Sequence, residues 1–210
     1  EGIAGEGTST VVLLEELHDA LYEASLEVDK HVTKESFTRQ MHKQLVRIEN
    51  SIKAELKPDC IEVAFFPYKA SMWDSLESIW LAAKEDPQCD ASVVPIPYYD
   101  KLSNGTFGRM HYEGGLYPDI VPITDWTEYD LEARHPDIVF FHNPYDEYNT
   151  ITSVHPDFYS SQLKQHTDLL CYVPYAISVR NVHSIAAPGP LNADIVYVPS
   201  SKVQKYYAAA

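Results

Sequence analysis

The chain has 210 residues, enough for one large domain with an appendage, and its 45% hydrophobic content is that of a protein with a packed core. A formal net charge of −15 argues against duplex DNA, RNA or an anionic membrane as the main partner, since neutralising phosphates needs clustered Lys and Arg and no such cluster stands out. The three cysteines, Cys60, Cys89 and Cys171, are odd in number, widely spaced and free of any C-x-x-C pair, which suggests neither a zinc ribbon nor a disulfide framework and fits a reducing cytoplasm.

Residues 1–57 read as helical. After a Gly-rich entry with Thr8, Ser9 or Thr10 as caps, Leu14, Leu17, Leu21, Ala24 and Val28 recur at spacings of three and four. A second run, with Thr33 as its cap, puts Phe37, Met41, Leu45, Ile48 and Ile52 on one face. Two amphipathic helices follow, expected to form an antiparallel hairpin whose plainest use is packing or self-association.

From Pro58 the rhythm changes. "CIEVAFF" is a strand, and "SMWDSLESIWLAAKED" an amphipathic helix with Ser71 as N-cap and Asp74 three residues on. "ASVVPIPYY" reads as the second strand and "DIVPITDW" as a short third; "TEYDLEARH" is a short helix before the strand "DIVFF". "PDFYSSQLKQH" is a further helix, "DLLCYVPY" a strand, and "NADIVYVPS" a last strand before "SKVQKYY" opens a helix. Strands alternating with helices, several of them unbroken apolar runs, predict an α/β domain over 58–210: a Rossmann-like, doubly wound parallel sheet covered on both faces.

Ligands of such sheets sit beyond the carboxyl ends of the strands, so the residues there are the candidates. After the first strand come Tyr68, Lys69 and Ser71, at a helix start able to attract an anion. After the second lies a long Gly- and Tyr-rich segment with His111 and Glu113, either a functional loop or a β-hairpin. After "DIVFF" stand His142, Asn143, Tyr145 and Asp146, better suited to hydrogen-bonding a polyhydroxyl ligand than to a metal, because His142, Asp146, Glu147 and His155 lack ligand spacing. "SVRNVHSIAAPGP" offers Arg180 and His183, the latter a candidate general base. G-x-G-x-x-G, G-x-x-x-x-G-K-[ST] and G-x-S-x-G are all absent, so no cofactor, no metal and no covalent hydrolase are expected.

The strings "FFPYKASMWDSLESIW", "VPIPYYDK", "MHYEGGLYPDIVPITDW" and "PDIVFFHNPYDEYNTITSVHP" resemble the bacterial CDP-glycerol glycerophosphotransferase-like family, which includes the teichoic-acid primases and polymerases. The resemblance covers about 61–207. It implies the acceptor-side half of a GT-B architecture, with a donor domain that holds CDP-glycerol following Tyr207. It also implies attack by a hydroxyl of a polyol-phosphate or glycan acceptor on the β-phosphorus of CDP-glycerol, at the inner face of the plasma membrane. Better-known members carry their base in a "WHG" segment, which this sequence lacks; His183 is nearest by position and His142 stands second. The substrate-binding expectation covers Tyr68, Lys69, Ser71, His111, Asn143, Tyr145 and Asp146. Three other readings remain open: a glycosyltransferase using a nucleotide sugar, a Rossmann-like module that binds a sugar or polyol without turnover, and an interaction protein working through its helical hairpin.

Overall fold

A computed structural model describes residues 8–26, 34–55, 60–176 and 186–207. The chain divides into two compact units: the N-terminal helices with Glu132–Arg134, and Cys60–Leu131 with His135–Ala210.

In the first unit α1 (Ser9–Leu26) and α2 (Lys34–Glu55) run antiparallel, as the side-chain pairs show. Thr10 Oγ1 lies 2.7 Å from Ser51 Oγ, and Arg47 meets Glu16 at 3.9 Å. The cap of α1 comes from the far end of α2: the Glu55 carboxylate accepts the backbone N–H groups of Ser9 (2.8 Å) and Thr10 (3.0 Å). These orphan donors at a helix start are thus satisfied by the neighbouring helix, not by the local hydroxyls that the sequence offered. Thr33 lies outside the described residues.

The second unit is built on a five-stranded parallel sheet: β1 (Ile61–Phe66), β2 (Cys89–Val93), β5 (Ile138–Phe141), β7 (Leu169–Tyr172) and β8 (Ile195–Val196), in the order β2-β1-β5-β7-β8. Each inner strand is apolar on both faces because both faces are covered. Val63 and Phe65 of β1 join Phe140 and Cys171 in a layer with Leu76 and Trp80 of α3 (Asp74–Glu85). Ala64 and Phe66 face the other way, into a layer with Val139, Phe141, Leu170 and Leu163 of α5 (Ser160–Gln165). The Rossmann-like α/β fold expected from the sequence is the one observed.

The run read as a second strand is two strands in different sheets. β2 ends at Val93, the chain continues along β1 through Val94 N–H to Phe65 O and Ile96 N–H to Pro67 O, and β3 (Tyr98–Lys101) begins a separate antiparallel sheet. There β3 pairs with β4 (Phe107–His111) and β6 (Thr152–Val154), so the long segment is a hairpin rather than an irregular loop. Pro95 and Pro97 cannot donate to a ladder, which forces the change of sheet. "DIVPITDW" contributes one parallel bridge, Val93 to Ile123, instead of a strand. Two short helices, α4 (Leu131–Arg134) and α6 (Pro188–Asn192), precede β5 and β8 in the chain, and α7 (Ser201–Tyr207) follows β8.

Candidate functional site

In an order that reverses direction at its first strand, the crevice for a ligand opens between β1 and the strand beside it, here β5. Phe66 and Phe141 end these strands, and the next residues are Pro67–Tyr68 and His142–Asn143. The crevice is filled. The Tyr68 N–H donates to His142 Nε2 (3.1 Å), and the two rings meet edge to face at 5.3 Å. His142 is fully buried. With Nε2 accepting, the ring proton sits on Nδ1, 3.2 Å from Ser75 Oγ, whose own proton goes to the Met72 carbonyl (2.8 Å). Burial pushes the His142 pKa down to about 3, against a smaller raising effect of the Met72 carbonyl. Both ring nitrogens are thus committed inside the protein, and Ser75 cannot hand its proton to the Nδ1 that already carries one. His142, expected as the second candidate base, fixes the β1 and β5 loops to each other.

Asp146, expected to bind substrate, is also bonded within the protein. It is buried at φ +46°, in the left-handed region that Asp tolerates better than most residues. Its Oδ2 accepts the N–H (3.0 Å) and the hydroxyl (2.5 Å) of Ser160, and Asn192 donates to that hydroxyl oxygen (2.8 Å). The carboxylate therefore joins its loop to α5 and α6. Burial raises its pKa to about 6, with the Ser160 bonds opposing. Gly189 completes the arrangement: a Cβ there would lie 2.8 Å from the Asn143 carbonyl oxygen and from Pro144 Cα, so only glycine lets α6 rest on the 143–144 backbone.

Ser71, expected to cap α3 and to help bind an anion, does not cap the helix. It is exposed within a 3-10 turn, Ala70–Met72, and no side chain caps either that turn or α3. The N–H that opens the turn, at Ala70, is taken by Glu113 Oε2 (2.9 Å), while Glu113 Oε1 accepts the Tyr98 hydroxyl (2.7 Å). An internal carboxylate occupies the place where an external anion was expected. Lys69 lies over two rings, 5.5 Å from the Tyr68 centroid and 5.1 Å from that of Tyr98. His111 stacks on Tyr98 at 5.0 Å, and its Nε2 lies 2.9 Å from Asp100 Oδ2. Lys69, His111 and Tyr68 are thus neighbours through the Tyr98 ring.

One strand over, the sheet edge is open. Pro144, Tyr145, Tyr172, Pro174, Tyr175, Pro199 and Tyr207 line a cleft of about 200 Å³. Beyond Pro174–Ala176 a second cleft of about 290 Å³ reaches Asp74, Ser75 and Tyr197. Among the described residues the first lining holds phenols and prolines and no charged side chain. Burial, with neighbouring phenols, raises the pKa of Tyr68, Tyr172 and Tyr175, so these hydroxyls stay protonated. Asn143, also buried, keeps an Nδ2 without a hydrogen-bond partner among the described residues. Tyr175 closes the back of the cleft by an edge contact with His142 at 6.1 Å.

The structure therefore brings Tyr68, Asn143 and Tyr145 together at the sheet edge, sets Lys69 and His111 beside them, puts His142 and Asp146 behind, and leaves Ser71 apart. His183 and Arg180 lie outside the described residues. Tyr172, Tyr175, Pro199 and Tyr207 were missing from the expected set; the rule that ligands sit past strand ends, applied to β7 as to β5, selects the first two. Among the described residues no group of three or more His, Cys, Asp or Glu is placed to hold a metal, and no helix is long and apolar enough to cross a membrane. No family model matches the chain, and neither a curated protein nor a solved structure gives a significant match.

Proposed function

We propose that the chain is the acceptor-binding half of a cytoplasmic transferase of the CDP-glycerol glycerophosphotransferase type, with the tyrosine-walled cleft as the acceptor site. The observation that carries this reading is the lining itself: neutral phenols and proline faces at a strand-end cleft, with no cation and no carboxylate among the described residues. Such walls suit the C–H faces and hydroxyls of a polyol or a single sugar, and the cleft is smaller than the roughly 300–1,000 Å³ of drug-sized sites. The resemblance supplies the reaction. An acceptor oxygen bonds to the β-phosphorus of CDP-glycerol, the bond from that phosphorus to the bridging oxygen breaks, CMP leaves, and a base takes the hydroxyl proton. With His142 committed to the fold, His183 and the Asp100-held His111 are the bases to test. Lys69, resting on the Tyr68 and Tyr98 rings, is a cation to test for a phosphoryl oxygen.

The test has two arms. Titration of this chain with glycerol, glycerol 3-phosphate and glucose, followed by amide NMR, is expected to shift residues 143–148 and 172–176, and Tyr175→Ala is expected to weaken binding at least tenfold. In a protein carrying both halves, CMP release from CDP-glycerol should require the acceptor and fall in His183→Ala or His111→Ala. Binding without turnover favours the non-catalytic polyol module; turnover with a nucleotide sugar alone moves the protein to the glycosyltransferases. No binding in the cleft sinks the acceptor-site assignment.

A further inference from the structure

The tyrosine-walled cleft does not stand alone at the strand ends. It shares Pro174, Tyr175, Ala176 and Pro199 with the cleft of about 290 Å³ that reaches Asp74, Ser75 and Tyr197. Through Tyr145 it meets a third, of about 370 Å³, walled by Tyr148, Ala186, Ala187, Pro188 and Leu191. Among the described residues the two outer clefts have no wall in common, so the tyrosine-walled cleft is the middle one of a row. The row crosses the sheet from face to face. Asp74 and Ser75 open α3, whose Leu76 and Trp80 pack with Phe140 on one face. On the other face α6, which carries Leu191, is tied to α5 by the bond from Asn192 to Ser160. Packed layers lie roughly 10 Å apart, so the path over the end of β7 is on the order of 20 Å long.

Phenols recur along the whole path. Tyr148 stands at one end, Tyr145, Tyr172, Tyr175 and Tyr207 wall the middle, and Tyr197 stands at the other end. Among the described residues no Lys, Arg or His lines any of the three clefts, and the one charged lining residue is Asp74. An anionic polymer laid along this path would find no counter-charge there, in a chain of net charge −15. An uncharged chain of sugar rings finds what it needs: flat aromatic and proline faces for its C–H surfaces, and neutral hydroxyls that donate and accept. The outer clefts are each larger than the middle one, so each has room for a ring if the middle one does.

We infer that the row is one groove for an uncharged oligosaccharide, with one ring in each cleft and the middle ring between Tyr145 and Tyr175. The inference rests on the reading of the middle cleft as the acceptor site, and it adds the length and the charge of the acceptor. A polyol phosphate chain is thereby disfavoured as the occupant, and a neutral glycan favoured.

Titration of the chain with cello-, chito- and malto-oligosaccharides, from monosaccharide to tetrasaccharide and followed by amide NMR, tests this. In at least one series affinity is expected to rise about threefold or more with each ring up to the trisaccharide, and to level off at the tetrasaccharide. Shifts from the trisaccharide should reach residues 74–75 and 197–199 on one side and 186–191 on the other. Tyr148→Ala and Tyr197→Ala change exposed positions, so the fold is kept. Each should weaken trisaccharide binding about threefold or more while changing monosaccharide binding less than about twofold. Affinity that does not grow with length in any series overturns the inference and leaves the single-sugar cleft standing. Tighter binding of glycerol 3-phosphate than of every trisaccharide overturns it as well, and makes the acceptor anionic. Absence of shifts at 143–148 and 172–176 with every ligand removes the acceptor site itself, and this inference with it.

Discussion

Two places along one sheet edge look alike in sequence and differ in the structure. At the switch between β1 and β5 a tyrosine and a histidine meet, and between them they fill the crevice. One strand over, past β7, two further tyrosines and a proline leave it open. The difference lies in where each group's hydrogen bonds go. His142 has both ring nitrogens engaged by its own chain, so it has nothing left to offer a ligand. Asn143, its neighbour, keeps an amide donor without a partner among the described residues. A polar residue at a strand end is evidence for a ligand only when its bonding capacity is unspent, because an unpaired buried donor costs about 1–3 kcal/mol.

The largest effect that would break this contrast is on stability. His142→Ala removes a fully buried ring and leaves the Tyr68 N–H without its acceptor. Cavity and orphaned donor together should cost about 4 kcal/mol, read as a lower urea midpoint at unchanged slope. If the variant instead keeps its stability and loses only turnover, His142 is catalytic and the closed crevice is a misreading.

Next in size is a pH effect in which the two buried groups oppose each other. For His142 the folded pKa, about 3, lies below the ordinary 6.5. The unfolded chain takes up a proton that the folded chain refuses, so this stability is whole above pH 6.5. It falls by up to about 1.4 kcal/mol per unit as the pH drops towards 3. For Asp146 the folded pKa, about 6, lies above the ordinary 3.8. Its contribution is fully present below pH 3.8 and is lost as the pH rises through 6. Between pH 6 and 4 the two slopes have opposite signs and nearly cancel. Asp146→Asn keeps an acceptor for Ser160 and tolerates positive φ, but removes one of the two slopes. The variant should lose up to about 3 kcal/mol more than the wild type on going from pH 6 to pH 4, as measured by urea midpoints. Parallel profiles for the two proteins would show that burial does not hold Asp146 protonated.

The layers were legible because apolar runs such as Ile138–Phe141 have few alternatives to a strand covered on both sides. What stayed hidden depended on contacts distant in sequence. Nothing local marks Glu113 as the acceptor for the Ala70 N–H, 43 residues away, or Glu55 as the cap of α1. Pro95 and Pro97 did carry a local signal, since a strand reading that runs through two prolines has to break. The candidate residues after β5 were found by position, but position cannot separate a side chain facing a cleft from one facing the core. Residues 142 and 143 are adjacent and both buried, and they differ in whether their hydrogen bonds are met among the described residues.

The smallest predicted difference separates two serines. Ser71 was selected because a serine three residues before an acid at a helix start has the form of a cap. In the structure it is exposed, whereas Ser75, inside the first turn of α3, passes a hydrogen bond from His142 to the Met72 carbonyl. Ser71→Ala should therefore change stability by less than about 0.5 kcal/mol, as a surface substitution does. Ser75→Ala should cost about 1 kcal/mol, because it removes the acceptor for the His142 Nδ1 proton, with the Met72 carbonyl nearby as a partial substitute. In a double-mutant cycle with His142→Ala, Ser75 should couple and Ser71 should not. Coupling at Ser71 would mean that the turn caps α3 after all, and that Glu113 shares the Ala70 N–H with it.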